Sequence, residues 1–437
     1  RGCGRDNRKS QEEHEKMSIE NLWKEGRKFF IDSRNVEPGG VFIAIKGENL
    51  DGHDYVNQAF EKGASCCIVQ KSGDYKGETI LVEDVVTELL KLSSSILRST
   101  AKLKIAVTGS TGKTTTKELL YNLMNCAGTV FRPYRNFNTE IGLPLAVLNE
   151  YKGEEIVILE MGLRKPGDVK LLSDYFQPDV SFITNIGSSH LEFLKTRENI
   201  ACEKMKIISG MENGTVVING DEPLLEKSDL SHLNVLKFGK KEHNDGILVD
   251  YTFDENSTKV WMRLHGKDMM LTLKDFWSEG QIIDFVAALT FVTFIQVPLD
   301  PYLISAINPE KGRFTTHRKN GKLIIDDSYN ASYESFCSGF ESVEKFEKIK
   351  KTLVMGEMLE LGEMSEHYHK KVLEKALKVF DCIWFFDPRN AFNSYKGINF
   401  VRSFDELEKI IEQTQGLIYI KGSNGTGLNS FLKRILE

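Results

Sequence analysis

The sequence predicts an α/β protein built from three domains. Its 437 residues are enough for two to four domains. Short apolar runs alternate with helical patterns along most of the chain, which is typical of parallel sheets covered by helices. A helix predicted over 85–99 leads out of the first domain, and three prolines between 298 and 309 precede the last. We therefore expect a small N-terminal α/β domain over 17–97, a central domain with a mainly parallel sheet over 98–308, and a C-terminal Rossmann-like domain over 309–437.

Two polar loops stand out in the N-terminal domain. DSRNVEPGG at 32–40 and KGENLDGH at 46–53 each follow an apolar or aromatic segment. Loops at strand ends are where α/β sheets bind ligands. Arg34 and Lys46 are therefore candidates for holding a diphosphate. The alternative is that Asp32, Ser33 and Arg34 only form a turn.

The central domain begins with a strand, a glycine-rich loop and a helix, in KIAVTGSTGKTTTKELL at 104–120. Backbone N–H groups and the helix N-terminus converge at such a loop and favour a polyphosphate, to which Lys113 adds a charge and Thr114 a hydroxyl for Mg²⁺. The usual pattern has a glycine where this chain has Val107, so a chance Gly-Lys-Thr is the alternative. We predict a nucleoside triphosphate site formed by Gly109, Ser110, Thr111, Gly112, Lys113, Thr114 and Thr115.

A metal site is expected beside this loop. Glu160 ends an apolar strand and His190 follows the next one, so both should emerge at the carboxyl edge of the sheet, near Thr114. Carboxylate and hydroxyl oxygens suit Mg²⁺. A solvated glutamate and a structural histidine are the alternatives.

Composition excludes several classes of protein. A net charge of −6 and a pI near 6.0 argue against nucleic acid as a partner. Seven cysteines without C-x-x-C spacing indicate reduced thiols and a cytoplasmic location. The apolar run at 285–297 is too short and too rich in threonine for membrane insertion. Residues 1–16 are polar and carry no signal-peptide pattern, so we expect them to be disordered or foreign to a native chain that starts at Met17.

The second half of the central domain and the C-terminal domain follow different patterns. Residues 246–274 predict antiparallel strands appended to the parallel sheet, and 280–296 an apolar helix. GRFTTH, at 312–317, is the expected hinge. Beyond it strands and helices alternate again, without G-x-G-x-x-G, so dinucleotide binding is not expected there.

Nine motifs in order resemble those of the Mur ligases of peptidoglycan synthesis. They are DSRNVEPGGVFIAIKGENLDGH, TGSTGKTTT, RNFNTEIGLPLAVL, EMG, TNIGSSHLE, GRF, DDSYNA, GEMLELGE and a late KGS. The resemblance covers about residues 18–437. DDSYNA followed by a GEMLELGE-like segment is specific to the family member that adds a dipeptide. The family's plan of a UDP-sugar-binding domain, a central P-loop ATPase and a closing C-terminal domain matches the divisions above.

The resemblance implies ATP-dependent amide bond formation through an acyl phosphate. It implies that D-alanyl-D-alanine is joined to UDP-N-acetylmuramoyl-tripeptide in the cytoplasm by a monomer. Lys113 and Thr114 would then hold the ATP phosphates and Mg²⁺, and Arg313 would reach the γ-phosphate. Lys204 matches a lysine that the family carbamylates, which makes it a ligand of a second Mg²⁺ beside Glu160 and His190. The alternative for Lys204 is an exposed helix lysine.

The remaining site residues follow from the same resemblance. Asp327 and Asn330 match nucleotide contacts of the C-terminal domain. The uridine diphosphate side would be formed by Ser33, Arg34 and Lys46, and the sugar-peptide pocket by Asn136 and Asn138. This chain departs from the family with Thr139 after Asn138, and with Gln281 and Asp284 where asparagines usually lie near adenine.

Two other functions stay open on the sequence alone. Another Mur-type or folylpolyglutamate-type ligase would use a single amino acid as its amine instead of a dipeptide. A P-loop regulatory NTPase would bind partners without making a bond, although the polar loops of the flanking domains argue against it. Glu357 and Glu360, in GEMLELGE, are candidates for orienting the incoming ammonium group or are solvated surface.

Overall fold

The structure is a computed structural model that describes residues 18–134, 137–226, 228–392 and 395–436. Asn136 and residues 1–16, on which predictions were made, lie outside these ranges. The chain divides into two compact units. One holds the described residues up to Thr100 together with Pro133–Gly153, and the other holds Ala101–Arg132 and the chain from Glu154 onward. Residues 133–153, expected in the central domain, thus group with the first unit, and the predicted three-domain bounds stay a prediction.

The first unit contains a four-stranded parallel sheet with the strands in sequence order. Its core is formed by side chains such as Phe42, Val56 and Val69. Its elements up to residue 100 are α1 Ile19–Lys24, β1 Phe29–Phe30, β2 Val41–Ile43, α2 Val56–Glu61, β3 Cys66–Val69, β4 Thr79–Leu81 and α3 Val85–Thr100.

The next stretch contains the parallel part of the large sheet. Its elements are β5 Leu103–Thr108, α4 Lys113–Met124, β6 Val130–Phe131, α5 Gly142–Glu150, β7 Ile156–Glu160, α6 Asp168–Phe176, β8 Val180–Ile183, α7 Leu191–Leu194, α8 Arg197–Met205, β9 Thr215–Asn219, α9 Pro223–Glu226 and β10 Asn234–Gly239. All of these except α5 belong to the second unit.

The large sheet is completed by an antiparallel extension, as predicted. It is followed by two helices; the elements are β11 Gly246–Asp254, β12 Ser257–Leu264, β13 Lys267–Lys274, α10 Glu279–Phe294 and α11 Pro301–Ala306. The strand order is β13-β12-β11-β10-β9-β8-β5-β7-β6, with β11 to β13 antiparallel. The apolar helix α10 packs on α4 and on this sheet, where Phe285 and Phe291 are buried.

The C-terminal part forms a second, six-stranded sheet. Its elements are β14 Thr315–Lys319, β15 Lys322–Asp327, α12 Tyr333–Glu344, β16 Lys351–Gly356, α13 Ser365–Val379, β17 Cys382–Phe386, β18 Asn399–Val401, α14 Phe404–Gln413, β19 Leu417–Lys421 and α15 Leu428–Leu436. The order is β14-β15-β19-β16-β17-β18, parallel except for the β14–β15 pair. The α/β class is therefore confirmed, while GRFTTH, expected to be only a hinge, contains the start of β14.

The sheet order decides what lies beside the glycine-rich loop. β5 lies between β7 and β8, and all three run parallel. In the β5–β7 register Val107 is opposite Glu160. The end of β7 therefore places the Glu160 carboxylate next to the loop that follows Thr108. None of the helices in the described part of the chain combines the length and apolar character needed to cross a lipid bilayer.

Candidate active site

The loop between β5 and α4 has the conformation of a phosphate cradle. Gly112 caps α4 with a φ of 79°, in the left-handed region that side chains rarely adopt. A Cβ at Gly109 would lie 1.8 Å from Oγ1 of Thr184. Both glycines are therefore required by the fold, and the first N–H groups of a helix that begins at such a loop lack acceptors within the helix and suit an anion.

The segment that follows β8 holds this loop in place. The side-chain oxygen of Asn185 accepts from the N–H of Thr111 at 2.9 Å, and its backbone oxygen accepts from the N–H of Ser110 at 3.1 Å. The N–H of Gly187 donates to Oγ of Ser110 at 2.9 Å. Sequence reasoning missed Asn185, although it stands in the TNIGSSH motif that drew attention to His190.

Two lysines converge on one oxygen of the loop. Nζ of Lys113 lies 2.8 Å from the carbonyl oxygen of Gly109, and Nζ of Lys204 lies 2.9 Å from the same atom. The Lys204 side chain is only 1% exposed, so the interpretation of an exposed helix lysine is wrong. Burial lowers the pKa of both amines, and the charge of Lys113 lowers that of Lys204 further. The two amines therefore meet beside the loop, and burial favours the neutral, nucleophilic form of Lys204 by lowering its pKa.

A second group of side chains joins the loop helix to the C-terminal domain. The hydroxyl of Thr114 donates to Oε2 of Glu160 at 2.9 Å. Arg313, which precedes β14, donates to the same hydroxyl oxygen at 3.1 Å and pairs with Glu310 at 3.0 Å. The guanidinium also lies over the ring of Tyr329, 4.2 Å from its centroid. A cation from the C-terminal domain is therefore fixed beside the predicted metal ligands.

His190 faces a carboxylate of the C-terminal domain. Its Nδ1 lies 2.8 Å from Oε2 of Glu360, and the N–H of Glu192 donates to the carbonyl oxygen of Glu360 at 3.1 Å. This pairing lowers the pKa of the Glu360 carboxyl. Within the described ranges no cluster of three or more His, Cys, Asp or Glu side chains is arranged to hold a metal ion. The predicted set of Thr114, Glu160, His190 and Lys204 thus stays a prediction, with Thr114 and Glu160 in direct contact.

The carboxylate of Asp327 is bound within its own domain. Oδ2 of Asp327 accepts from the hydroxyl of Tyr419 at 2.6 Å and from Nζ of Lys421 at 2.7 Å. Lys421 also donates to the carbonyl oxygen of Asn330 at 3.1 Å. Tyr419 and Lys421 were not predicted, although Lys421 opens the late KGS motif. The nucleotide contacts of Asp327 and Asn330 stay predictions.

The loop GEMLELGE is anchored by a buried histidine. Nε2 of His369 accepts from the N–H of Met358 at 2.9 Å, and its Nδ1–H donates to the carbonyl oxygen of Ser365 at 2.7 Å. The ring is fully buried beside Phe385 and Phe392. Both ring nitrogens are therefore satisfied only in the neutral form, and burial lowers the pKa of His369 to about 4.

This histidine predicts a pH dependence of stability. The pKa of His369 falls from 6.5 to about 4 on folding, so the unfolded chain binds a proton more readily in this range. The contribution of the neutral ring to the free energy of unfolding is therefore complete above pH 6.5 and is lost as the pH falls from 6.5 to 4. The loss should approach about 3 kcal/mol near pH 4. We expect His369→Phe to flatten this part of the curve, measured by urea unfolding at a series of pH values. His367→Phe, at an exposed neighbouring position, should keep the wild-type slope; equal slopes in all three proteins would contradict the assignment.

The predicted residues of the first unit lie at a turn and a loop. Oγ of Ser33 donates to Oε1 of Gln58 at 2.7 Å, and Asp32 caps the short 3₁₀ helix Ser33–Asn35. Arg34 is exposed and pairs with Asp32 at 2.7 Å. Lys46 is exposed in the loop after β2, and Asn138 lies partly exposed before α5. Asp32, Ser33 and Arg34 do form a turn, and whether they also bind a ligand stays a prediction, as it does for Lys46 and Asn138.

Three family models match successive parts of the chain. They are the Mur ligase family catalytic domain over residues 29–108, the Mur ligase middle domain over 107–279, and the Mur ligase glutamate ligase domain over 312–423. A Bacillus subtilis protein named UDP-N-acetylmuramoyl-tripeptide–D-alanyl-D-alanine ligase is 33% identical, over 93% of this chain and 92% of its own.

Two solved structures are similar to this chain over most of its length. The MurF ligase from Thermotoga maritima, in complex with ADP, has a TM-score of 0.88 and is 35% identical over 95% of this chain and 98% of its own. MurF from Acinetobacter baumannii has a TM-score of 0.85 at 24% identity, over 95% and 98% of the two chains, which supports the fold alone.

The glycine-rich loop on a parallel sheet, the C-terminal α/β domain and the three matching family models place the chain in the class of three-domain ATP-dependent ligases. This chain belongs to the Mur ligase family. The family resemblance and the three-domain α/β architecture predicted from the sequence are thereby confirmed, and the particular relatives described above are MurF ligases.

Proposed function

We propose that this chain is an ATP-dependent ligase that joins D-alanyl-D-alanine to UDP-N-acetylmuramoyl-tripeptide in peptidoglycan precursor synthesis. The observation that carries the proposal is the meeting of Lys113, Lys204, Thr114, Glu160 and Arg313 at one end of the phosphate loop. The name of the 33% identical relative supplies the two peptide substrates, and the 35% identical MurF ligase, which was solved with ADP, supports the nucleotide. A site for a transferable phosphoryl group accounts for Lys113, Arg313 and the helix N-terminus of α4 lying beside a buried amine and a carboxylate.

The reaction steps are those that membership of the family implies, and the charges of the site suit them. A peptide carboxylate oxygen attacks the γ-phosphorus of ATP, the bond to the β-phosphate oxygen breaks, and ADP leaves. The dipeptide amine then attacks the acyl carbon, loses a proton and expels inorganic phosphate. Every species before that release is anionic, so Lys113 and Arg313 stabilise charge that spreads during phosphoryl transfer.

The residues present fit a Mg²⁺ ion at the end of β7. Thr114 and Glu160 are hard oxygen donors 2.9 Å apart, which is the ligand chemistry that Mg²⁺ prefers. Mg²⁺ would neutralise phosphate charge there. For a second ion we propose His190 and a carbamate on Lys204, formed when the neutral amine adds to CO₂ and loses a proton. The buried, low-pKa amine of Lys204 supports that modification.

The remaining assignments are also proposals. Ser33, Arg34, Lys46, Asn136 and Asn138 would bind the UDP-sugar peptide. Asp327 and Asn330 would contact the nucleotide. Glu360 would release its partner His190 and pair with the ammonium group of the dipeptide, which it would orient. Glu357, which pairs with Arg389, is less suited to that role. We further propose that the protein acts as a cytoplasmic monomer.

Phosphate release tests the proposal. With ATP, Mg²⁺ and the UDP-tripeptide, release should be slow until D-alanyl-D-alanine is added and should then become continuous. Release that ignores the UDP-tripeptide would contradict a ligase. A folylpolyglutamate-type or other Mur-type activity would instead respond to a single amino acid.

A further inference from the structure

Lys117 is a buried cation one helical turn beyond Lys113 on α4. Its side chain is 1% exposed. Residues four apart project from the same face of a helix, so the first turns of α4 direct two ammonium groups toward the same end of the sheet. A buried ammonium group is costly unless opposite charges compensate it. The proposed reaction assigns no role to the ammonium group of Lys117.

Two carboxylates supply the compensation. Nζ of Lys117 lies 3.9 Å from Oε2 of Glu160 and 3.5 Å from Oε1 of Glu118. Oε2 of Glu160 is the same oxygen that accepts the Thr114 hydroxyl. Glu160 is itself 3% exposed, so little water screens this charge. A cation bound by Thr114 and Glu160 would therefore sit close to a fixed positive charge.

The second carboxylate is held from its other side. Nη2 of Arg132 lies 2.7 Å from Oε2 of Glu118, and its guanidinium lies 3.7 Å from the ring centroid of Tyr121. The charges thus alternate from Arg132 through Glu118 and Lys117 to Glu160. Because Arg132 keeps Glu118 in place, Lys117 has a fixed partner besides Glu160.

We propose that Lys117 is an internal counter-ion of Glu160, a positioning residue that keeps this carboxylate beside Thr114 before a divalent cation binds. Oε1 of Glu118, 3.5 Å from Nζ of Lys117, would remain the partner of the ammonium group once a divalent cation occupied Thr114 and Glu160. Lys117 then stabilises the empty site and weakens the binding of Mg²⁺ through like-charge repulsion. This inference rests on the proposed function, in which Mg²⁺ accompanies ATP.

Calorimetry of ADP binding across a series of Mg²⁺ concentrations tests the inference. Lys117→Met keeps most of the side-chain volume and removes the charge. We expect the Mg²⁺ concentration for half-maximal ADP affinity to fall by at least about tenfold, since the buried ammonium group, 3.9 Å from Oε2 of Glu160, competes with a divalent cation for this carboxylate. Without Mg²⁺ the variant should melt at a lower temperature than the wild type, and Mg²⁺ with ADP should raise its melting temperature by more.

Three controls separate the outcomes. Lys117→Arg keeps the charge and should retain the wild-type Mg²⁺ dependence. Lys117→Gln also removes the charge, so it should show the same lowered Mg²⁺ requirement and replaces the methionine variant if that variant folds poorly. Lys170→Met, on the exposed face of α6, should change nothing. If the Mg²⁺ concentration for half-maximal ADP affinity is unchanged or higher in Lys117→Met, the counter-ion role is overturned. If the wild-type protein fails to bind ADP at every Mg²⁺ concentration tested, the proposed function is overturned instead.

Discussion

Lys204→Ala should lower turnover by at least about a hundredfold, because the variant removes the proposed carbamate ligand and with it the second cation that we propose to stabilise the phosphoryl group. Lys204→Met should be equally impaired while filling the buried space, so that loss of activity is separated from loss of packing. Lys204→Glu should retain slight activity, since its carboxylate approximates the charge of a carbamate but not its reach. Short carboxylic acids should partly rescue the alanine variant.

The modification itself is measurable. Wild-type protein equilibrated with ¹³C-labelled bicarbonate should show one carbamate carbon signal that Lys204→Met lacks. Lys206→Ala is a matched control, because this lysine is two residues away, is partly exposed and pairs with Glu203. Full activity of Lys204→Ala would show that this buried lysine serves only the packing of α8.

Lys113→Ala should also reduce turnover by at least about a hundredfold, since it removes a cation from the phosphate loop. The side chain of Lys113 is half-buried and donates to the carbonyl oxygens of Gly109 and Ser110. We therefore expect a small loss of thermal stability in addition, because both carbonyl groups lose a donor.

ATP-dependent product formation and a thermal melt should be measured on the same preparation of the Lys113 variant. Lys102→Ala provides the control, because its side chain is exposed and pairs with Glu155. Turnover of Lys113→Ala within a few-fold of wild type would remove this loop from the reaction.

The parts of the site that were predictable are those written in local patterns. The loop near Lys113 is predicted by a strand, two glycines and the start of a helix. The position of Glu160 at the end of β7 is predicted by the four apolar residues before it. Parallel pairing then brings the two together, because the carboxyl ends of neighbouring strands meet at one edge. The antiparallel strands β11 to β13 were also predicted, because their alternation of apolar and polar residues is a local pattern.

The missed features depend on contacts between distant parts of the chain. The burial of Lys204 and Lys117, and the pairing of His190 with Glu360, are set by tertiary packing that no local period records. β1, β6 and β18 have only two or three residues each, too few for an alternating pattern. Arg313 was expected at the nucleotide only through the family resemblance, and the structure places its guanidinium on Thr114.

The most direct test of the proposed function is the identity of the amine. D-alanyl-D-alanine, D-alanine, L-lysine and L-glutamate should be offered together with a fixed UDP-N-acetylmuramoyl-tripeptide, ATP and Mg²⁺, and the products identified by mass. The proposal predicts a product heavier than the UDP-tripeptide by one dipeptide residue unit, with the single amino acids incorporated at a small fraction of that rate. Preferred incorporation of a single amino acid would contradict the dipeptide ligase and leave only the ATP-dependent ligase chemistry.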